Sequence, residues 1–209
     1  MMKKGLFITL EGTEGSGKTT QIAVIKAHME AKGHKVVCLR EPGGTPIAEE
    51  IRALLKAPRK DDIMCDKTEL LLMYAARAQL VDTVIKPLLE NGTDVVCDRH
   101  DLSTVAYQGG GRGLNMEDIN AIRKVVLGNF RPDLTIVIDV DPKLGMQRAR
   151  NRGELDRFEL SQIDFFERVR KTYLEYAKSH REFVAVVDGH QEISAVSQDV
   201  IACLDKLNA

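Results

Sequence analysis

Eight consecutive residues near the N-terminus have the types and the spacing of a phosphate-binding loop. The stretch reads Gly12-Thr13-Glu14-Gly15-Ser16-Gly17-Lys18-Thr19. Its glycines let backbone N–H groups turn inward around phosphate oxygens, because a Cβ atom would resist the necessary backbone angles. Lys18 is placed to neutralise the β- and γ-phosphates of a nucleoside triphosphate, and the Thr19 hydroxyl to hold Mg²⁺. A plain glycine-rich turn is the alternative, whereas a dinucleotide-binding loop would need the order G-x-G-x-x-G.

Charged residues also follow two apolar runs farther along the chain. Arg40 follows Val36–Leu39 and opens a loop with a proline and two glycines. Asp98 and Arg99 follow Val95–Cys97. Because parallel strands end at one edge of a sheet, we expect these residues beside the phosphate-binding loop, with Arg40 forked onto a phosphate, Asp98 positioning Mg²⁺ and Arg99 in the same crevice. A Pro-Gly turn and a helix cap are the structural alternatives.

Polar residues in two other places suggest contacts with a ligand. Arg77 interrupts the apolar face of a predicted helix over residues 68–90, and a charge next to a buried face needs a partner, which a ligand can provide. The run Gly109–Gly113 contains four glycines and Arg112, and it predicts a pliable loop. The polar side chains just before it, among which Gln108 could recognise a base edge, are Ser103, Thr104 and Gln108. A solvated helix face and a flexible connection are the alternatives.

Arginines are concentrated between residues 148 and 157, in a stretch too charged to pack. A solvated turn with alternating charges would look the same. Downstream of a phosphate-binding loop, however, such arginines are candidates for a mobile lid, at about residues 148–160, that screens the charge of a transferring phosphate. A small kinase needs this lid and a second anion site. A guanine-nucleotide switch would instead need an Asn-Lys-x-Asp base-recognition motif, which the sequence lacks.

The elements that must position these residues alternate between apolar runs and helical patterns. Five buried runs separated by helical segments predict an α/β fold with a five-stranded parallel sheet and helices on both faces. The 209 residues fit a single domain, 1–209. A net charge of −1 gives no electrostatic basis for binding nucleic acid or a membrane. The apolar segment at the N-terminus is too short for a signal peptide, which predicts a cytoplasmic protein.

Several of these motifs together resemble the bacterial thymidylate kinases, a family of P-loop nucleoside monophosphate kinases. The motifs keep the order and spacing of that family over nearly the whole chain. They are Glu11–Thr20, Arg40–Thr45, Tyr74–Arg77, Asp98–His100 and Ala106–Arg112. The resemblance implies that a cytoplasmic homodimer transfers the γ-phosphate of MgATP to dTMP. From the residues alone, another P-loop nucleotide kinase or an ATP-driven switch remains possible.

On the ATP side, the resemblance implies that the loop of residues 12–19 binds the phosphates and that Thr19 lies near Mg²⁺. The loop has no arginine after Glu14, whereas the predicted lid is rich in arginine. That arrangement resembles the bacterial one, in which a lid arginine screens the charge; here this would be Arg152, with Arg148 nearer the adenine.

On the dTMP side, the resemblance implies that Glu14 engages the 3′-hydroxyl of the deoxyribose and that Arg40 and Arg99 clamp the phosphate. Arg77 would donate to the thymine O4. The polar wall around the base would be formed by Ser103, Thr104 and Gln108. The candidate catalytic residues are Lys18, Arg99, Arg152 and Glu14.

One position departs from the family pattern. Many relatives carry a phenylalanine that stacks on thymine four residues before the base-binding arginine, and Met73 stands there in this chain. A methionine can lie against a base through its polarizable sulfur, so we expect a softer stacking contact.

Overall fold

Five parallel strands form the central sheet of the protein. The structure is a computed structural model that describes residues 4–151 and 156–207. The strands are β1 (Phe7–Glu11), β2 (Val36–Arg40), β3 (Asp94–Asp98), β4 (Leu134–Asp139) and β5 (Val184–Asp188). Their order across the sheet is β2-β3-β1-β4-β5, and every pairing is parallel. The predicted five-stranded parallel sheet is confirmed.

The sheet brings the charged strand ends together. β1 is fully buried between β3 and β4, and Leu10 lies opposite Asp98. On the other side of β3, Arg40 also lies opposite Asp98. The three strand ends therefore meet at one edge, directly beside the loop of residues 12–19 that follows β1.

Helices cover both faces of the sheet. They are α1 (Lys18–Ala31), α2 (Pro46–Lys56), α3 (Asp66–Leu80), α4 (Lys86–Glu90), α5 (Asp101–Thr104), α6 (Met116–Val126), α7 (Pro142–Arg150), α8 (Ile163–Ser179) and α9 (Ile193–Leu207). Ile8 and Leu10 face a core shared with α1 and α9, whereas Phe7 packs with the helical segment 80–89 on the opposite face. No helix among the described residues is both long and apolar enough to span a membrane.

The predicted helix over residues 68–90 contains a π-helical turn. α3 and α4 are joined by the π-helical stretch Val81–Ile85. Pro87 has no N–H group to offer the carbonyl four residues earlier, and its ring crowds that carbonyl. A widened turn just before the proline relieves this conflict while the helix continues.

The glycine-rich run after Gln108 is helical. Val105–Gly111 forms a π-helical stretch that continues α5 and packs against α8. A Cβ atom on Gly110 would lie 2.0 Å from the Thr172 hydroxyl oxygen of α8. The prediction of a pliable loop is therefore wrong for this stretch, because its glycines allow two helices to approach closely.

Candidate active site

A cleft opens at the carboxyl edge of β1, β2 and β3. This edge is where open parallel α/β sheets bind their ligands. All of the residues that the resemblance places on the acceptor side line this cleft, and the predicted Mg²⁺ residue Asp98 lines it too. The acceptor-side residues are Glu14, Arg40, Met73, Arg77, Arg99, Ser103, Thr104 and Gln108.

Lys18 lies within the phosphate-binding loop. Its Nζ donates to the carbonyl oxygens of Gly12 (3.1 Å) and Thr13 (3.0 Å), and to Ser16 Oγ (3.3 Å). Burial, and then the nearby positive charge of Arg99, lower the pKa of Lys18 to about 8. The ammonium therefore stays charged at neutral pH. Because α1 begins at Lys18, the unpaired N–H groups of its first turn point toward the loop.

The phosphate-binding loop packs against α7. A Cβ atom on Gly15 would lie 2.0 Å from the Gly145 carbonyl oxygen, and one on Gly145 would lie 2.4 Å from the Glu14 carbonyl oxygen. Backbone therefore touches backbone at this contact. On the same helix, exposed Arg148 donates to the Gly189 carbonyl oxygen at 3.4 Å. Arg152 lies outside the described residues.

Glu14 and Arg99 form an ion pair across the cleft. Arg99 Nη2 lies 2.8 Å from Glu14 Oε1, and its Nη1 donates to the Gly12 carbonyl oxygen at 2.8 Å. The Tyr107 hydroxyl bonds both partners, since it donates to Glu14 Oε2 and accepts from Arg99. The family resemblance implies a sugar contact for Glu14 and a phosphate contact for Arg99. The structure adds that Glu14 and Arg99 also pair with each other.

Arg99 owes its position to an unusual backbone angle. Its φ is +68°, in the left-handed region that few residues other than glycine adopt. Burial alone would lower the pKa of this guanidinium, but Tyr107 and Glu14 raise it well above its ordinary value. Arg99 is therefore a permanent positive charge between the phosphate-binding loop and the acceptor side. Such strained residues are typical of functional sites.

Asp98 and Thr19 are the predicted Mg²⁺ residues. Asp98 Oδ1 is buried and has no hydrogen-bond partner within the described ranges, and the Thr19 hydroxyl lies in the exposed first turn of α1. The described residues hold no cluster of three His, Cys, Asp or Glu side chains that could bind a metal. Mg²⁺ needs no such cluster, because it retains waters and binds through one or two protein oxygens and substrate phosphates. The two side chains thus fit the ion.

Arg77 lies at the centre of a buried polar cluster. Its Nε donates to Glu41 Oε2 at 2.7 Å, its Nη1 to Thr104 Oγ1 at 3.0 Å and its Nη2 to the His100 carbonyl oxygen at 3.0 Å. The His100 ring bonds Glu41 through Nδ1 at 2.8 Å. Burial alone would raise the pKa of Glu41, but Arg77 and His100 hold it below the ordinary value. The guanidinium is thus fixed in the cleft wall, with N–H groups to spare for a ligand.

Arg40 is exposed and forms an ion pair with Glu49. Its Nη1 and Nη2 each lie 3.0 Å from a Glu49 oxygen. Gly44 N–H and then Arg40 lower the pKa of Glu49, which keeps this exposed carboxylate charged. The same loop is held by Arg52, whose Nη1 donates to the Pro42 carbonyl oxygen at 2.7 Å.

Several other cleft residues have no predicted role, although most of them lie within the motifs or the predicted lid. They are Glu41, Pro42, Arg52, Lys56, His100, Tyr107, Asp156 and Phe158. Arg52 and Lys56 could have been recognised from their spacing, because cations four residues apart lie on the same face of a helix. The segment after the undescribed residues is tied to that helix: Asp156 pairs with Lys56 at 2.7 Å, and Arg157 donates to the Leu55 carbonyl oxygen at 2.7 Å.

Hydrogen bonds hold Ser103 and Gln108 in place, and apolar packing holds Met73. The Ser103 hydroxyl donates to Glu11 Oε2 at 2.5 Å, and burial raises the pKa of that carboxyl. Gln108 Nε2 donates to Glu69 Oε1 at 2.7 Å. Met73 is half-buried and packs against the cluster of apolar residues that contains Leu55 and Phe158.

Known proteins share this architecture and sequence. The sequence profile of the family described as thymidylate kinase matches residues 10–200. The chain is 53% identical over 202 residues to the thymidylate kinase of Shewanella sp. (strain MR-4), with 96% of both chains covered. It is 50% identical over 201 residues to that of Shewanella amazonensis, again with 96% of both chains covered. The crystal structure of thymidylate kinase from Ehrlichia chaffeensis superimposes with a TM-score of 0.77 at 34% identity, covering 97% of this chain and 99% of the other.

Proposed function

The chain belongs to the thymidylate kinase family, and we propose that it transfers the γ-phosphate of ATP to dTMP, giving dTDP for the synthesis of dTTP and DNA. The observation that carries this proposal is the shared edge of β1, β2 and β3. There the phosphate-binding loop meets a cleft that Arg40, Arg99 and Arg77 line. A nucleotide kinase needs these two anion sites side by side.

On the donor side, the backbone N–H groups of residues 12–19 and the Lys18 ammonium bind the phosphates of ATP. The pKa of about 8 supports this role, since Lys18 carries its charge at neutral pH. Thr19 and Asp98 would hold Mg²⁺ or its water shell, and the bound ion would neutralise negative charge on the phosphates. Arg148 lies on the helix that touches the loop and is proposed to approach the adenine.

On the acceptor side, Arg99 and Arg40 bind the dTMP phosphate, and Glu14 accepts a hydrogen bond from the 3′-hydroxyl. A phosphate oxygen of dTMP attacks the γ-phosphorus, and the bond from that phosphorus to ADP breaks. The attacking oxygen already carries negative charge, so no general base is needed. The chain contributes mainly position and positive charge.

Around the base, Arg77 donates to the thymine O4, with Ser103, Thr104 and Gln108 as the polar wall. Met73 packs against the ring in place of an aromatic residue. The position of these side chains in the wall of the cleft supports the polar contacts with the base and the packing of Met73 against it.

The prediction of a lid at about 148–160, in which Arg152 screens charge, stays a prediction because residues 152–155 are undescribed. We also propose that residues 1–209 form one cytoplasmic domain that acts without nucleic acid or a membrane. The net charge of −1 and the single sheet support this.

We further propose that the protein is a homodimer. Leu71 of α3 and Val125 of α6 are 57% and 86% exposed, and Ile47 of α2 is 54% exposed. Since α3 packs against both α2 and α6, these helices form a neighbouring set that carries apolar surface. A dimer interface would cover it.

The purified protein, assayed for ADP release with MgATP and each of dTMP, dUMP, dCMP, dAMP and dGMP, tests the activity. We expect the highest kcat/KM for dTMP, with dUMP as its close analogue. Preference for any other acceptor would make the protein a different nucleotide kinase. ATP hydrolysis that no nucleoside monophosphate accelerates would instead indicate a switch.

A further inference from the structure

Glu69 is a buried carboxylate that does not line the cleft but holds a residue that does. It is 0% exposed. Its Oε1 accepts from Gln108 Nε2 at 2.7 Å and from Arg112 Nε at 3.3 Å. Its Oε2 lies 3.2 Å from Arg112 Nη2 and 2.6 Å from Arg157 Nη1. One side chain thus joins α3, the π-helical stretch Val105–Gly111 and the segment that resumes at Asp156.

Both carboxyl oxygens of Glu69 face arginine N–H groups, which can only donate, so each oxygen acts as a hydrogen-bond acceptor. Gln108 must therefore turn its NH₂ group toward Glu69. Its carbonyl oxygen, Oε1, then faces away from the acid, and within residues 4–151 and 156–207 no donor bonds it. Because Gln108 lines the cleft, this oxygen is the acceptor that it offers to a ligand.

The cleft therefore presents a donor from Arg77 and an acceptor from Gln108. Thymine and uracil match this pair, since O4 accepts and the neighbouring N3–H donates. Cytosine carries the opposite pattern, with a donating amino group at C4 and an accepting N3. An amide turned the other way would offer a donor, which would match the accepting N3 of cytosine and oppose the N3–H of thymine.

We propose that Glu69 is a positioning residue for base selection: by fixing the amide of Gln108, it gives the cleft a hydrogen-bond acceptor for the N3–H of thymine or uracil. The inference rests on the proposed function, since it assumes that the cleft binds a pyrimidine nucleotide. The negative charge of Glu69, rather than its shape alone, then decides which base is accepted.

The test is the ratio of kcat/KM for dTMP to kcat/KM for dCMP. Glu69→Gln has nearly the same shape but can donate to the Gln108 carbonyl, so the amide is free to reverse. We expect the ratio to fall roughly 10- to 100-fold, the cost of a mismatched buried polar group. Glu69→Asp keeps the charge and should keep most of the ratio even if kcat falls. The matched control is Asp66→Asn, one helical turn away, half exposed and 3.6 Å from Arg112, which should stay within about twofold of wild type.

A double variant separates positioning from general damage to the fold. In a Gln108→Met background there is no amide to orient, so adding Glu69→Gln should leave the ratio unchanged. A Glu69→Gln enzyme that folds but keeps the wild-type ratio would overturn the inference. So would an equal fall in both backgrounds.

Amide exchange in the wild-type protein needs no variant at Glu69. The side-chain NH₂ signal of Gln108, identified by its loss in Gln108→Met, should be protected from exchange with water before dTMP is added. Protection that arises only with dTMP would place the NH₂ group in the cleft and refute the inference. Failure of the wild-type enzyme to phosphorylate dTMP would instead refute the proposed function, which this NMR result does not depend on.

Discussion

Replacing Glu41 by glutamine should destabilise the fold severely, because it removes the charge that neutralises a buried arginine. The side chains of Arg77 and Glu41 are 2% and 3% exposed, and Arg77 Nε lies 2.7 Å from Glu41 Oε2. An amide keeps the size of the acid but leaves the buried guanidinium with only Asp101, which lies 3.7 Å away and also pairs with Arg123, as a counter-charge. Breaking a buried ion pair in this way costs about 3–5 kcal/mol. At about 2–4 °C per kcal/mol for a chain of this length, Tm should fall by roughly 6–20 °C.

The same loop offers a matched control. Arg40 and Glu49 form a pair of the same residue types at 3.0 Å, but their side chains are 46% and 41% exposed. Water screens this pair, so Glu49→Gln should cost no more than about 1 kcal/mol. Both variants replace the glutamate of an Arg–Glu pair by glutamine. The difference between their losses of stability therefore measures the effect of burial.

The penalty of Glu41→Gln should also depend on pH in a defined direction. The pKa of Glu41 in the folded protein is lower than its ordinary value of 4.5, so the charge stabilises the fold above that value. Stability is lost as the pH falls from 4.5 through the lower folded value. The gap between wild type and variant should therefore be full at about pH 7 and should narrow at about pH 4 and below. Urea unfolding at both pH values measures this gap. A penalty below about 1 kcal/mol at neutral pH, or one equal to that of Glu49→Gln, would refute the account of a buried, charge-dependent cluster.

Three other substitutions test the packing and the roles of single cations. Gly110→Ala should destabilise by about 1–3 kcal/mol in urea unfolding, because its Cβ would lie 2.0 Å from the Thr172 hydroxyl; an unchanged midpoint would mean that the two helices can separate freely. Arg52→Ala removes a cation from the cleft and a bond to the Pro42 carbonyl, so KM for dTMP should rise by roughly tenfold, more than kcat falls; an unaltered KM would argue that the phosphate does not reach this side chain. Arg152→Ala should lower kcat by on the order of 10²-fold while dTMP binding, measured by calorimetry, changes little; equal kcat values would remove Arg152 from the catalytic residues.

The sheet and the phosphate-binding loop could be predicted because their signals are local. The motif of residues 12–19 occupies eight consecutive positions, and each apolar run is a strand on its own. The position of Asp98 beside Arg40 then follows from a general rule of parallel sheets rather than from any detail of these residues.

The pairing of side chains across the site could not be predicted, because the partners are far apart in the chain. Arg99 and Glu14 are separated by 85 residues, and Arg157 and the carbonyl of Leu55 by 102. A charged residue in a sequence indicates that a partner is needed without indicating which one. Glycines are ambiguous in a similar way: Gly110 serves close packing against α8, and the same residue type would be found in a flexible loop.

The central position of β1 has a consequence for how the protein is made. β1 is the first strand to leave the ribosome, yet its neighbours in the sheet are β3 and β4. The N–H group of Phe7 bonds a carboxylate 126 residues later, at Asp133. At about 5–20 residues per second, the strand waits roughly 10 s for this partner. During that interval the edge of β1 that pairs with β4 has no partner strand, and the nucleotide site is incomplete because Asp156 and Phe158 also line it. Assembly of the site is therefore a late event in synthesis, although the phosphate-binding loop is translated before the other residues of the site.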